Sequence, residues 1–395
     1  MTLSRNISAL LALLLLSAGL YAAEPMKDKV SFAYDVDFEM NFDNREFYRS
    51  AFSNSMTIFG ARLTPSIGVS VAQKNGFNHK VMAGIDVMKD FGASPISQLA
   101  AGGKTDETVS SLNNLGLFRE FTLWYNMQKK AGQTDVGLYA GIFPRRMMQG
   151  EYSRAFFSDS LRYYDNNLEG LLLTFGRPKA YFEVGCDWMG QFGTDRRERF
   201  MIFSAGRGDV LPFMSIGYSA YMYHFASSEN IHGVVDNILA NPWVRFDIAH
   251  LAGMQRMSAR IGWLQGVQND RRMVGNYIFS YGGELDLEVR NWNVGIVNSL
   301  FYGTDMMPYY NSVDAGDVKY GSRLYMGDPF YRIHDDGRKG PGTYDRLEVY
   351  YEPVVGKFLN IRVAALFHFH SLRYSGCQQT VSLRFNLDGL LNKKH

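Results

Sequence analysis

Residues 30–42, VSFAYDVDFEMNF, leave few folds open to this chain. Val30, Phe32, Tyr34, Val36, Phe38, Met40 and Phe42 are apolar, whereas Ser31, Ala33, Asp35, Asp37, Glu39 and Asn41 between them are small, polar or acidic. Successive side chains of a strand point to opposite faces, so the segment has one apolar face and one acidic face. Wound into a helix, the same residues would mix the two classes around the axis. At 13 residues it exceeds the usual five or six of a soluble strand and suits the roughly 9–11 that cross a bilayer at a tilt. A soluble sandwich accommodates one such strand equally well, so the rest of the chain decides.

The pattern recurs. Alternating segments are predicted at 56–73, 79–91, 115–127, 134–143, 168–176, 179–192, 200–206, 212–225, 243–251, 257–267, 279–290, 292–302, 344–353, 358–370 and 378–387. That makes about sixteen strands, within a range of 14–18. Their connections alternate in length. Short turns follow the even strands: Asn75-Gly76, a strong hairpin signal, Arg177-Pro178, and 207–211, in which Arg207-Gly208-Asp209 reads as turn chemistry rather than an adhesion motif. Long loops follow the odd strands, among them 144–167, 226–242 with a helical turn near 234–239, and 303–343. A barrel threaded from the periplasm gives this asymmetry, with short inner turns and long outer loops. Backbone groups in hydrocarbon need internal partners, so a spanning sheet must close on itself. The fold class predicted is all-β, a transmembrane antiparallel up-and-down barrel.

Bulk properties agree. Lys and Arg number 41 against 39 Asp and Glu, without a basic stripe, so nucleic acid is not an expected partner. No run of 18 apolar residues follows the amino terminus, where Arg5, the apolar stretch 7–20 and Tyr21-Ala22-Ala23 read as a cleaved secretory signal over 1–23. One barrel domain is expected over 30–388, with a periplasmic tail at 389–395. Cys186 on the seventh strand and Cys377 at the outer rim before the sixteenth lie on roughly opposite sides of the wall, too far apart for a disulfide.

The rhythm over residues 30–388 resembles the porin-like outer-membrane β-barrel proteins of Gram-negative bacteria. The resemblance implies outer-membrane localisation, insertion by the barrel-assembly machinery, a monomeric or homotrimeric state and passage of small hydrophilic solutes. Such barrels often end on an aromatic residue; here Val381, Leu383, Phe385 and Leu387 alternate, but eight further residues follow.

The alternation also assigns lumen-facing charges: Asp35, Asp37, Glu39, Asp86, Glu183, Asp187, Asp247, Glu284, Asp286, Glu288, Glu348 and Glu352, with Arg62, Arg245, Arg260, Arg290, Arg346, Arg362 and Arg384. Unpaired burial would cost several kcal/mol each, so they need water or one another. By position, the third outer loop (144–167) resembles the one that narrows general porins. Its Arg145, Arg146, Arg154 and Arg162 are candidates for a constriction facing acids. Aromatic residues near strand ends, including Tyr34, Trp124, Trp188, Trp243, Trp292, Tyr302 and Tyr344, are expected in interfacial girdles. His368 and His370 share a strand face without a visible third metal ligand, and the acids of 303–343 (Asp314, Asp317, Asp328, Asp335 and Asp336) lack calcium-loop spacing. No metal, cofactor or catalytic residue is therefore expected. The functional expectation is a non-enzymatic channel for passive diffusion of small hydrophilic solutes. A loop-closed barrel with a structural, receptor or secretion-partner role is the alternative.

Overall fold

The computed structural model describes residues 28–47, 50, 52–92, 118–272, 276–334, 340–356 and 358–386. The leader and tail expected from the sequence, most of the second outer loop, and Asp335 and Asp336 lie outside the described residues.

Sixteen antiparallel strands close into one barrel, each pairing with its neighbours in sequence. They are β1 (Lys29–Glu46), β2 (Met56–Ala72), β3 (Phe77–Asp90), β4 (Phe118–Ala131), β5 (Thr134–Pro144), β6 (Asn167–Arg177), β7 (Ala180–Gly190) and β8 (Arg199–Leu211), followed by β9 (Met214–Phe225), β10 (Val235–Asp247), β11 (Arg256–Asp270), β12 (Ile278–Asn291), β13 (Val294–Gly303), β14 (Gly342–Tyr351), β15 (Leu359–His370) and β16 (Arg373–Asn386). The first and last strands seal the wall, in register from Asp37 opposite Asn386 to Glu46 opposite Cys377. On β1 the acidic phase turns inward, with Asp35, Glu39 and Asp43 buried, while Phe32 outside is 66% exposed. No helix of the described residues is long and apolar enough to cross a membrane; the strands do the crossing.

Several local expectations are corrected. β8 runs through Arg207-Gly208-Asp209, which pair with Gly217, Ile216 and Ser215 instead of forming a turn. β10 begins at Val235, where a helical turn was expected; the turn is α2 (Ala249–Ala252), at the periplasmic end. The last outer connection is a two-residue turn, with Ser371 and Leu372 both at positive φ, so Cys377 lies within β16 rather than before it. Trp124, Trp243 and Tyr344 point inward and are buried, whereas Trp188, Trp292 and Tyr302 are exposed on the outside. The two cysteines are free thiols.

Two outer connections fold into the barrel. The third contains a 3-10 turn at Arg145–Met147 and the helix α1 (Asp159–Tyr164), which Ser158 caps by accepting the Leu161 amide. The connection after β13 contains α3 (Gly321–Leu324) and a 3-10 turn at Pro329–Tyr331. The two loops bond to each other, the Asp328 amide to the Arg154 carbonyl (2.8 Å) and the Ser158 amide to the Met326 carbonyl (2.9 Å). Phe156, Phe157, Tyr325, Phe330 and Tyr331 from these loops are buried with Phe203, Tyr221, Phe301 and Tyr344 of the wall. The interior is thus partly an aromatic core rather than wholly wet.

Close strand approach fixes some glycines. Gly141 sits at φ +112°, and a Cβ there would lie 2.2 Å from the Leu123 carbonyl oxygen. Gly141→Ala is expected to destabilise the barrel by about 1–3 kcal/mol through strain alone. Gly132, at φ +63° in an open turn, supplies the control: Gly132→Ala loses about 1–2 kcal/mol and none to overlap. Urea midpoints of the barrel refolded in micelles read the difference.

Candidate functional site

The lumen charges find one another. Arg62 meets Asp86 (3.0 Å), Arg145 meets Asp187 (3.1 Å) and Asp165 (3.2 Å), and Arg146 bonds to Asp35 and lies 3.8 Å from Asp37. Arg245 pairs with Glu151 (2.5 Å), Arg260 with Asp286 (2.8 Å), Arg384 with Glu39 (3.0 Å) and Arg256 with Glu288 (3.1 Å). Glu183 accepts from Tyr152 (2.8 Å) and the Gln149 amide (2.9 Å). Glu284 accepts from Ser153 (2.6 Å) and Tyr331 (2.7 Å). Glu348 gathers Arg346 (2.8 Å), Arg362 (2.6 Å) and Arg154 (3.9 Å). Asp247 stands apart: it lies at the periplasmic rim and accepts the Ala249 amide (3.0 Å) at the start of α2. These contacts tie the third loop to β7, β12 and β14 and hold it across the lumen.

The four arginines of that loop divide by role. Arg145 is buried and Arg146 is held against β1, so both anchor the loop. Arg154 and Arg162 instead border water-accessible space. An outer cavity of about 650 Å³ runs down the wall formed by β14, β15, β16 and β1. It shares Arg154, Asp159 and Arg162 with a middle cavity of about 230 Å³. Glu151 borders both that cavity and a periplasmic vestibule of about 590 Å³. Enclosure by the barrel would raise the Asp159 carboxyl, whose side chain is nevertheless exposed to the cavity, but Arg154, Arg346 and Arg162 hold it well below the usual range. Glu151 and Asp159 stand beside these arginines in the sequence, but alternation says nothing of direction in a loop, so their places at the cavities were not readable from it.

In the longest described loop, Asp314 is buried between Arg197 (3.1 Å) and Arg323 (3.0 Å) and accepts the Gly316 and Val318 amides. Burial favours its neutral form, yet those amides and guanidiniums hold its carboxyl below the usual range. Asp328 lies elsewhere, accepting the Phe330 amide, and burial pushes its carboxyl up. His368 is occupied at both nitrogens, by Tyr344 (2.9 Å) and Gln378 (2.8 Å), and His370 stacks on Phe52. Among the described residues no group of three or more His, Cys, Asp or Glu is placed to hold a metal.

A second constellation lies outside the wall, at the outer rim. His224 and Asp236 face each other across the β9–β10 ladder on the lipid-facing phase. His224 Nδ1 is 3.1 Å from an Asp236 carboxylate oxygen, and Arg271 Nε donates to the other at 2.8 Å. This is the one histidine–carboxylate pair among the described residues. The imidazole sits beside Phe200 (ring centroids 5.1 Å apart), which stacks on Trp188 (5.4 Å). Exposed Ile202 and Met222 continue the apolar surface towards the bilayer centre. The sequence did carry a signal: two ionisable residues on an otherwise apolar strand phase.

Fold and surface define an outer-membrane β-barrel. A family model described as Lipid A 3'-O-deacylase-type matches residues 25–225, and the chain belongs to that family. The family's description is a deacylase, which overturns the expectation of a non-enzymatic barrel. No contiguous catalytic motif in the sequence announced it. No curated protein matches the chain. Among solved structures, Vibrio cholerae OmpT lacking loop L8 is 10% identical, with 90% of this chain and 99% of that one covered, at a TM-score of 0.50. Pseudomonas putida OprB is 9% identical over 90% and 94% (TM-score 0.47), and a mutant Rh. blastica porin 10% over 90% and 100% (0.43). At such identities the likeness is one of fold.

Proposed function

We propose that the protein hydrolyses an ester-linked acyl chain of a lipid A-type glycolipid, at a site on the outside of its wall. The carrying observation is the His224–Asp236 pair, at the outer rim and facing lipid. Asp236 accepts the Nδ1 proton and so leaves Nε2 as a base; Arg271 donates to the other carboxylate oxygen and orients it. Nε2 takes a proton from water as its oxygen attacks the ester carbonyl. Collapse of the tetrahedral adduct breaks the bond to the sugar oxygen, which receives that proton from the imidazolium. The products are a fatty acid, which then loses its remaining proton to bulk water, and a free sugar hydroxyl. Phe200, Ile202 and Met222 provide the surface along which the acyl chain stays in hydrocarbon. Family membership supports the reaction class. Mass spectrometry of lipid A incubated with the reconstituted protein tests it: loss of one ester-linked acyl chain is expected, and unchanged lipid A with a correctly folded barrel refutes it.

A second reading is favoured by the succession of cavities past Arg154, Asp159 and Arg162: a narrow passage for small hydrophilic solutes, constricted by the third loop. Arg162→Gln is expected to shift reversal potentials across a salt gradient towards cation preference. Arg145→Gln, by contrast, loosens the loop and raises conductance. A silent bilayer carrying inserted protein excludes the passage.

A further inference from the structure

The apolar outside of the wall is interrupted on either side of β15. On one side Asn298 of β13 and Asp345 of β14 both lie on the lipid-facing phase, and Asn298 Nδ2 donates to the Asp345 carboxylate at 2.6 Å. Asn298 stands in mid-strand, between exposed Ile296 and exposed Tyr302 of the same phase. Asp345 is opposite Leu300 on one neighbour and Phe369 on the other, so the pair is set among apolar side chains. On the other side Asn44 and Gln379 face each other across the ladder that seals the barrel, again on the outer phase. Asn44 donates to Gln379 (2.5 Å) and Glu46 (3.1 Å) and accepts from Thr57 (2.9 Å). Glu46 and Gln379 remain exposed. Between the two groups β15 presents the small Ala365. The turns at its two ends carry Leu372 and Val354, which with Trp292 below β13 are the three most exposed large apolar side chains among the described residues, each at 80% or more. Because the outer turn is only Ser371 and Leu372, the β15–β16 connection does not overhang this face.

Polar groups facing hydrocarbon keep a demand for partners that lipid tails do not meet. We infer that this face, centred on β15, is an interface with a second copy of the chain. Both copies stand the same way up in the membrane, so the two-fold relating them runs along the membrane normal. With that axis in front of β15, the β13–β14 side of each copy meets the β16–β1 side of the other. Heights agree as well. Ladder rows climb towards the outer rim with strand number, as from Phe38 in mid-β1 through Leu63 and Val87 to Phe118 at the outer end of β4. Asn44 and Glu46, in lower rows than Asp345 but three strands further round, thereby regain its level. The Asp345 carboxylate has acceptor positions beyond the one Asn298 fills, and the facing side offers the amide donors of Asn44 and Gln379. Ala365 at the centre lets the walls come close. Each contact is made twice, once from each copy, whereas a lipid makes it once. His224 and Asp236 lie at least five strands away, so the interface is independent of the hydrolase reading.

Sedimentation equilibrium of the full chain in a density-matched detergent tests it, and two copies per particle are expected. Asn298→Leu combined with Asp345→Leu, and separately Gln379→Leu, are each expected to weaken the association at least tenfold. Both changes make the lipid-facing wall more apolar, so insertion is kept. Cys377 lies beside this face on β16, and Cys186 lies across the barrel on β7. A bis-maleimide is therefore expected to give a covalent dimer that Cys377→Ser abolishes and Cys186→Ser leaves. A monomeric parent, including one that retains glycolipid, overturns the interface. So does a dimer whose affinity stays within twofold of the parent's in both leucine variants, or one that cross-links through Cys186.

Discussion

His224→Ala is expected to slow acyl release by roughly 10²–10⁴-fold, the usual contribution of a positioned general base, while leaving the barrel's heat-modifiable migration in gels unchanged. The two readouts separate because of where the residue sits. Its side chain faces lipid and holds up no part of the interior; its partners are one carboxylate and a neighbouring ring. Asp236→Asn is expected to follow it. An amide can donate as well as accept, so it no longer fixes which imidazole nitrogen carries the proton, and part of the population presents the wrong one to water. Arg271→Gln should fall between parent and Asp236→Asn, since it orients the carboxylate without touching the base. Full activity in His224→Ala would place the chemistry elsewhere on the wall, whatever the family.

The architecture was legible because a barrel writes itself into alternation. β1 needed only residues 30–42 to declare its two faces, and Asp35, Asp37 and Glu39 do point into the lumen, with Arg146 and Arg384 as their partners. Legibility failed where a local breaker was met by the ladder. Asn241-Pro242 reads as the end of a loop, yet both lie inside β10, where pairing with β11 skips from Ala240 to Trp243 and the missing proline N–H falls in the gap. Pro65 is tolerated in β2 by the same device, between Leu63 and Ser66. The loops hid the most. Alternation gives no direction to Phe156 or Tyr331, so their turn into the lumen was unreadable even though their aromatic character argued for burial. His224 and Asp236 are near in space only through strand register, which no short motif encodes.

The third loop's hold on the wall rests on a pair that the alternation half disclosed. Arg62→Ala is expected to destabilise the folded barrel by about 3–5 kcal/mol, the penalty for stranding a buried charge. Arg62 and Asp86 are almost fully buried, 3.0 Å apart, on the adjacent strands β2 and β3. The guanidinium also donates to the carbonyls of Tyr163 and Tyr164, at the carboxyl end of α1, where a cation is favoured by the helix dipole. Its removal leaves Asp86 with the Asn167 amide (2.9 Å) as its remaining hydrogen-bond donor and frees the end of α1. Asp86→Asn in the Arg62→Ala background should recover part of the loss, because the stranded charge goes with it; a purely steric role for Arg62 would give no recovery. Urea unfolding in micelles reads both, with exposed Arg177→Ala as the control expected to stay near the parent. If Arg62→Ala shifts the midpoint no more than that control, the loop is held by its aromatic packing alone, and the ion pair merely accompanies it.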